Sequence, residues 1–174
     1  AKAAPDGHTF GIVIAAHVSN TTLYPKLPYD PAKDLAAVSL IGLSPLVAAV
    51  NNDAPFKTAA QLIDYAKRFP GKISFGSSGN GSAAHLSTEL WKAQAGAYMV
   101  HIPYRGAAAA LTDLMGGQIQ LLFDAASGLI NPGKTGKVRL IGVAGERRLA
   151  AAPDVPTFVE QGFTKFIAST WAGM

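Results

Sequence analysis

Residues 72–96, KISFGSSGNGSAAHLSTELWKAQAG, constrain the fold of this chain more than any other stretch. Ile73 and Phe75 alternate with polar neighbours, the period of a short strand. Gly76, Ser77, Ser78, Gly79, Asn80, Gly81 and Ser82 follow as a loop of small residues. Ala83 to Ala95 carries good helix formers, and Gly96 stands where a helix stop belongs. The first N–H groups of a helix have no internal partner, and the helix dipole adds partial positive charge there. A strand, a small-residue loop and a helix start in that order therefore suit a carboxylate or a phosphate. Glycine admits a ligand close to the backbone, and the serine hydroxyls add donors.

Three readings of this loop stay open. Gly79-Asn-Gly81-Ser-Ala-Ala84 fits a loose dinucleotide fingerprint, G-x-G-x-x-A, between a strand and a helix. That would make the chain a nucleotide-binding α/β enzyme domain. The acidic partner for a ribose is missing, because the next strand ends in His101-Ile-Pro-Tyr-Arg105. The glycines can also serve packing alone. A site for a small anion needs the fewest additional residues.

Composition narrows the field. The chain has 174 residues and is 49% hydrophobic, enough for a substantial core in one or two small domains. Its net charge of +4 is spread thinly, and Arg147–Arg148 and Lys134/Lys137/Arg139 make only small clusters. Nucleic-acid binders carry a denser basic stripe with aromatics, so nucleic acid is not the expected partner. A mildly basic chain suits a small acidic ligand. The absence of cysteine excludes disulfides, thiolate catalysis and Cys-ligated zinc, and fits an oxidising compartment. The apolar run Val38–Val50 is interrupted by Gly42 and Pro45 and is too short to span a bilayer, so no membrane insertion is expected. No signal peptide is visible. Both termini read as cut, so the sequence is expected to be an internal fragment.

The order of segments predicts an α/β fold with a mostly parallel sheet flanked by helices. Phe10–Ala15 reads as a buried strand, and Val38–Asn51 as a long strand bent at Pro45. Thr58-Ala-Ala-Gln61 is a capping box, followed by an apolar helix face of Ala59, Leu62, Ile63 and Ala66. Ile73–Phe75 leads to helix 83–95. Met99–Ile102 leads to helix 107–115. Ile119–Phe123 leads to Asp124 and a short turn near Ala125–Ile130. Val138–Val143 is a further strand, and Thr157-Phe-Val-Glu160 a second capping box with Gly162 as stop. Ligands of such sheets sit beyond the carboxyl ends of the strands. Here those ends are Gly76–Ser82, Pro103–Gly106 and Asp124–Ser127.

Other chemistry is thin. Gly128-Leu-Ile-Asn-Pro-Gly133-Lys134-Thr135 spells the P-loop pattern, but Gly136-Lys137 leads into the β-branched run Val138–Val143 rather than a helix, and Pro132 removes an N–H. Ser78 is not in G-x-S-x-G, because Asn80 takes the last position. His85 and Glu89 stand four apart without a third metal ligand, so no metal is expected and His85 reads as structural. His101 reads as packed within a strand. Asp124 ends an apolar strand and points either to a ligand amine, hydroxyl or water, or to a neighbouring loop. Arg105 is a carboxylate partner or a solvated cation. Trp91 and Trp171 read as core.

Several of these segments resemble, in order, the Bug or TctC-like family of extracytoplasmic solute receptors. They are Pro5-Asp-Gly-His-Thr-Phe10, Leu27-Pro-Tyr-Asp-Pro31 with Asp34, Gly76–Ser82 with His85-Leu86, and His101–Gly106. Ala110–Leu114 with Gly116-Gly-Gln118, Phe123-Asp124 and Pro153-Asp-Val-Pro-Thr157 complete the set. The resemblance implies a type II periplasmic-binding-protein fold whose two lobes close on a small carboxylated solute. It implies a receptor for a tripartite tricarboxylate transporter, acting with that system's membrane subunits in the periplasm, without catalysis and without a cofactor. Residues 1–45 would be part of the first lobe, 46–168 the second lobe, and 169–174 the start of the return crossing. Ligand contacts would fall to Ser77, Ser78, Gly79, Gly81, Ser82, Tyr104, Gly106 and Asp124. Ala16 and His17 would contribute a polar loop from the first lobe.

Overall fold

The computed structural model describes residues 1–174, and its core is built around one long strand. The run Leu46-Val-Ala-Ala-Val50 is apolar at every position and fully buried. A strand covered on both faces reads as a continuous apolar run rather than an alternating one. It forms the second half of β2 (Leu40–Val50). The other strands are β1 (Val13–Ile14), β3 (Ser74–Ser77), β4 (Val100–Pro103), β5 (Leu121–Ala125), β6 (Arg139–Val143) and β7 (Ser169–Gly173). The helices are α1 (Ala16–Leu23), α2 (Ala59–Arg68), α3 (Ala83–Ala95), α4 (Ala107–Met115) and α5 (Ala126–Lys134).

β2 changes partners at Pro45. Residues Leu40–Pro45 pair antiparallel with β7, which also carries β1. Residues Leu46–Val50 lie between β5 and β6, antiparallel to both. Proline lacks the N–H that a ladder needs, so it sits where one ladder ends and the next begins. Parallel pairing is confined to β3 with β4 and β3 with β5. The α/β class holds, but the sheet is mixed rather than mostly parallel.

Each face of the sheet has its own apolar layer. On one face, α2 and α3 cover Leu46, Ala48, Val50, Phe75, Leu121 and Phe123. Trp91 of α3 anchors that layer, with Phe123, Phe158 and Phe163 edge-on at 5.2–5.6 Å. On the other face, α4 and α5 cover Val47, Ala49, Leu122 and Val143 with Ala110, Leu114 and Leu129. Every buried hydrophobic side chain lies between Leu46 and Ala168. Residues 1–44 instead expose Phe10, Ile12, Val18, Leu40, Ile41 and Leu43.

Four local expectations change. Of Phe10–Ala15 only Val13–Ile14 pairs as a strand, and Phe10 and Ile12 are exposed. The turn expected near Ala125–Ile130 is the helix α5, held by burial of Ala126 and Leu129 although Pro132 lies in its last turn. The P-loop spelling thus lies mostly within α5, with its glycines and lysine in helical conformation. The Thr157 capping box forms, with Glu160 N–H to Thr157 Oγ1 at 3.0 Å and Thr157 N–H to Glu160 Oε2 at 2.6 Å. It opens only a turn, because Gly162 at φ 92° ends it before a helix can propagate. Ala16 and His17 open α1 rather than a loop.

Candidate functional site

Because β4, β3 and β5 run parallel, Pro103, Ser77 and Ala125 end on one edge of the sheet. From β3 the chain leaves to α3 on one face, and from β5 it turns into α5 on the other. β3 and β5 are neighbours, so their exits diverge and a crevice opens between them. That is a topological switch point, the position at which open α/β sheets bind ligands.

Helix N-termini converge there. α3 is capped by Ser82, whose hydroxyl accepts from the His85 N–H at 3.2 Å. α4 starts at Gly106 and α5 after Ala125, neither with a side-chain cap of its own, and none of the three has an acidic residue in its first turn. The N–H groups of Ala83, Ala84, Ala107, Ala108, Ser127 and Gly128 have no partner within the chain. Aligned helix dipoles add partial positive charge at this edge. The arrangement favours an anion that can accept several hydrogen bonds.

The glycine loop divides its groups between its own structure and the crevice. Ser77 is fully buried, and its hydroxyl accepts from the Gly79 N–H at 3.2 Å and shares a 2.7 Å hydrogen bond with His101 Nε2. Its side chain therefore holds the loop. Ser82 is the cap just described, and its N–H donates to the Gly79 carbonyl at 3.2 Å. Gly81 donates to His85 Nδ1 at 3.1 Å. The Gly81 and Ser82 N–H groups are thus not free donors: both close the loop on itself. Gly79 adopts φ 131° and Gly81 φ 75°, conformations that favour glycine. Ser78 is half-buried, and neither its N–H nor its hydroxyl has a partner. With exposed Asn80, it is one of two loop side chains left with open donors.

The remaining candidates separate. The Tyr104 hydroxyl donates to Asp113 Oδ2 at 2.6 Å, and burial together with that carboxylate pushes its pKa up to about 12. Its hydroxyl is committed to α4, and its ring packs against Gly76. Gly106 lies at the open start of α4. Arg105 is exposed and makes no ion pair. Ala16 and His17 occupy the first turn of α1, where His17 Nδ1 lies 3.4 Å from the Tyr29 hydroxyl. Asp124 faces no cation and no side-chain donor. Its Oδ2 occupies the space beside Gly128, where a Cβ would approach to 2.6 Å. Burial raises its pKa above the ordinary carboxylate value, and the neighbouring Ala125 N–H partly offsets the shift.

Sequence reasoning missed two serines here. Ser44 Oγ, from β2, accepts from the Ala126 N–H at 3.1 Å and so caps α5 from another element. Ser19 Oγ of α1 donates to the Gly81 carbonyl at 2.7 Å. Both contacts are long-range, at separations of 82 and 62 residues, so no local pattern signals them. No group of three or more His, Asp or Glu side chains gathers in metal-binding geometry. No helix is long and apolar enough to cross a membrane.

Comparison with known proteins gives a consistent picture. Residues 1–174 match the family described as tripartite tricarboxylate transporter family receptor, TctC. A protein from the tcbD-tcbE intergenic region of Pseudomonas sp. (strain P51) is 35% identical over 175 residues, covering 100% of this chain and 52% of that protein. The R. palustris protein Rpa4515, solved with adipate, superposes with a TM-score of 0.95 at 32% identity, over 99% of this chain and 58% of its own. MatC from Rhodopseudomonas palustris, solved with malate, gives 0.88 at 29% identity, over 98% and 58%. The chain spans about half the length of the curated relatives it matches. The sequence match over its whole length places this chain in the TctC family of tripartite tricarboxylate transporter receptors.

Proposed function

We propose that this chain supplies one wall of the solute site of a periplasmic receptor that captures a small carboxylate and delivers it to the membrane subunits of a tripartite transporter. The observation that carries the reading is the meeting of three helix N-termini at one switch point, two of them without a cap of their own and none with an acidic first turn. Relatives of similar structure hold adipate and malate. The first carboxylate is received by the N–H groups at the starts of α3, α4 and α5 and by Ser78. Ser77, Gly79, Gly81 and Ser82 fix the loop that presents Ser78, and Gly106 leaves the α4 end open. Asp124, beside the first turn of α5, selects an amine or hydroxyl of the solute. Ala16 and His17 approach from α1. The protein binds its solute without transforming it.

The two-lobe reading has separate support. Residues 46–168 contain the whole buried core, whereas residues 1–45 join residues 169–174 in a second small sheet that exposes its apolar side chains. We assign 46–168 to one lobe, and 1–45 with 169–174 to the other, with β2 and β7 crossing between them.

Isothermal calorimetry of the full-length protein against short di- and tricarboxylates and acidic amino acids tests the function. Saturable heat with one of them is expected. Binding of an uncharged sugar with no response to any carboxylate would refute it. A nucleotide-binding enzyme would instead require an acidic residue after β4, where Pro103, Tyr104 and Arg105 stand. It predicts thermal stabilisation by adenine nucleotides, and none is expected.

A further inference from the structure

Helix α1 reaches the glycine loop through one hydrogen bond. Ser19 Oγ donates to the Gly81 carbonyl at 2.7 Å, and no other hydrogen bond joins residues 1–39 to residues 46–168. The same hydroxyl has a second acceptor within its own helix, the Ala16 carbonyl at 3.2 Å. Ser19 can therefore release Gly81 without leaving its proton unsatisfied, which gives the contact two states. Leu23, one turn further on, packs so close that a Cβ at Gly81 would lie 2.3 Å from its Cδ1.

The other side of the same glycine is held by a titratable ring. The Gly81 N–H donates to His85 Nδ1 at 3.1 Å, a role open only to the neutral imidazole with its proton on Nε2. Protonation would set N–H against N–H. The surroundings of the ring resist protonation. His85 lies in the first turn of α3, where the helix dipole disfavours a cation. His101 of β4 stacks on it with centroids 3.9 Å apart, and Phe75 of β3 lies beyond at 6.5 Å. Glu89 favours the charged ring, but Glu89 is paired with Lys92 at 2.7 Å and Lys92 opposes it. Burial is the largest influence and keeps His85 below its ordinary 6.5, and His101 down to about 4.

The geometry points to a latch at Gly81: Ser19 closes α1 onto its carbonyl while neutral His85 holds its N–H, in the preceding peptide group, so that strong acidification frees the residue and opens the contact. The latch rests on the two-lobe receptor reading, in which α1 and the glycine loop face one another across the solute cleft. It holds at neutral pH with or without solute. His85 is a positioning residue, because it acts on the latch only by fixing the Gly81 backbone.

Hydrogen exchange at the Gly81 amide, followed by NMR in the full-length protein without solute from about pH 7.5 to about pH 4.5, tests the latch. Protection factors remove the intrinsic pH dependence of exchange. Wild type should be protected at neutral pH and lose protection below 6.5. Because the two contacts on Gly81 open together in the latch, Ser19→Ala, which leaves the Gly81 N–H bonded to His85, should lower neutral-pH protection about fivefold, the worth of the lost bond to the carbonyl, and Ser19→Thr should restore it. His85→Asn keeps an acceptor near the Nδ1 position but does not titrate, so it should stay protected and flatten the acid limb. Unchanged protection in Ser19→Ala would eliminate the latch. A wild-type acid limb in His85→Asn would eliminate its pH dependence. Calorimetry with the di- and tricarboxylates and acidic amino acids runs separately: no binding to any of them would overturn the receptor reading while leaving the exchange results to stand alone.

Discussion

Ser78 and Ser82 are four residues apart in one loop, and substitution to alanine should separate what the loop does for stability from what it does for binding. Ser82 is only 4% exposed, and its hydroxyl accepts from the His85 N–H at the N-terminus of a 13-residue helix. Loss of an N-cap costs about 0.5–2 kcal/mol, and the burial of this one places it in the upper half of that range. For a domain of this size, each kcal/mol lowers Tm by about 2–4 °C. Ser82→Ala should therefore melt several degrees earlier. Ser78 has no partner for its hydroxyl, so Ser78→Ala should change stability by less than about 0.5 kcal/mol. A hydroxyl donating to a charged group is worth about 1.5–3 kcal/mol, which corresponds to at least tenfold in Kd. Urea unfolding and calorimetry of the full-length protein read both quantities on the same samples. If Ser78→Ala lost as much stability as Ser82→Ala while binding was unchanged, Ser78 would be a structural residue and the solute would lie elsewhere.

Three further outcomes follow from named contacts. Gly81→Ala must force a Cβ to within 2.3 Å of Leu23 Cδ1 at φ 75°; it should detach α1 and destabilise by about 1–2 kcal/mol from the left-handed backbone alone, read by urea unfolding. Trp91 Nε1 is a buried donor with no partner, so Trp91→Phe removes an unsatisfied group together with some volume. It should cost less than the roughly 3–5 kcal/mol expected of Trp91→Ala, and equal losses would show that the N–H has a partner after all. Asp124 has a folded pKa raised by burial, so the folded chain holds its proton more tightly than the unfolded one. Stability then falls as pH rises from the ordinary 3.8 through the folded value. Asp124→Asn should flatten that fall in a pH series of unfolding curves, and a steeper fall would contradict the assignment.

Much of residues 46–168 could be read from local pattern, because local pattern determines it. The face Ala59, Leu62, Ile63 and Ala66 of α2 is buried as its spacing requires, and Thr58 caps Gln61 at 3.2 Å. Ser82 and Gly96 bound α3 as cap and left-handed stop. The errors fall where a distant contact overrides propensity. α5 contains Gly128, Pro132 and Gly133, poor helix formers, yet Leu129 and Ala126 hold it on the sheet and Ser44 caps it from β2. α1 has no cap and no buried residue, and its residues Asn20, Thr21 and Thr22 give no helical signal. Strand direction is likewise non-local: nothing within Leu46–Val50 says that it runs against β5. In the loop, residue types pointed to the site, but which N–H groups stay open depended on Gly79, His85 and His101, which only the fold brings together.

The proposed anion site also contains a half-buried acid, Asp124, and its charge limits what the site can accept. The helix N-termini attract a first carboxylate. Asp124 lies at the end of β5, with its Oδ2 beside Gly128 in the first turn of α5 and no cation near it. Two like charges about 4 Å apart near a protein surface repel by about 4 kcal/mol, more than a neutral hydrogen bond returns. A second solute carboxylate placed against ionised Asp124 would therefore cost more than it gains. A hydroxyl or an ammonium at the same place would donate to the acid and gain. The raised pKa of Asp124 adds a third possibility, because a protonated Asp124 donates to a carboxylate oxygen instead of repelling it. Selectivity then depends on protonation: simple dicarboxylates gain affinity as Asp124 takes up its proton, and amino acids lose it. Asp124→Asn mimics the protonated state at every pH. It should erase that crossover, favouring dicarboxylates over amino acids throughout, and calorimetry of both solute classes over a pH series would detect it. A variant that kept the wild-type crossover would remove Asp124 from the solute's surroundings.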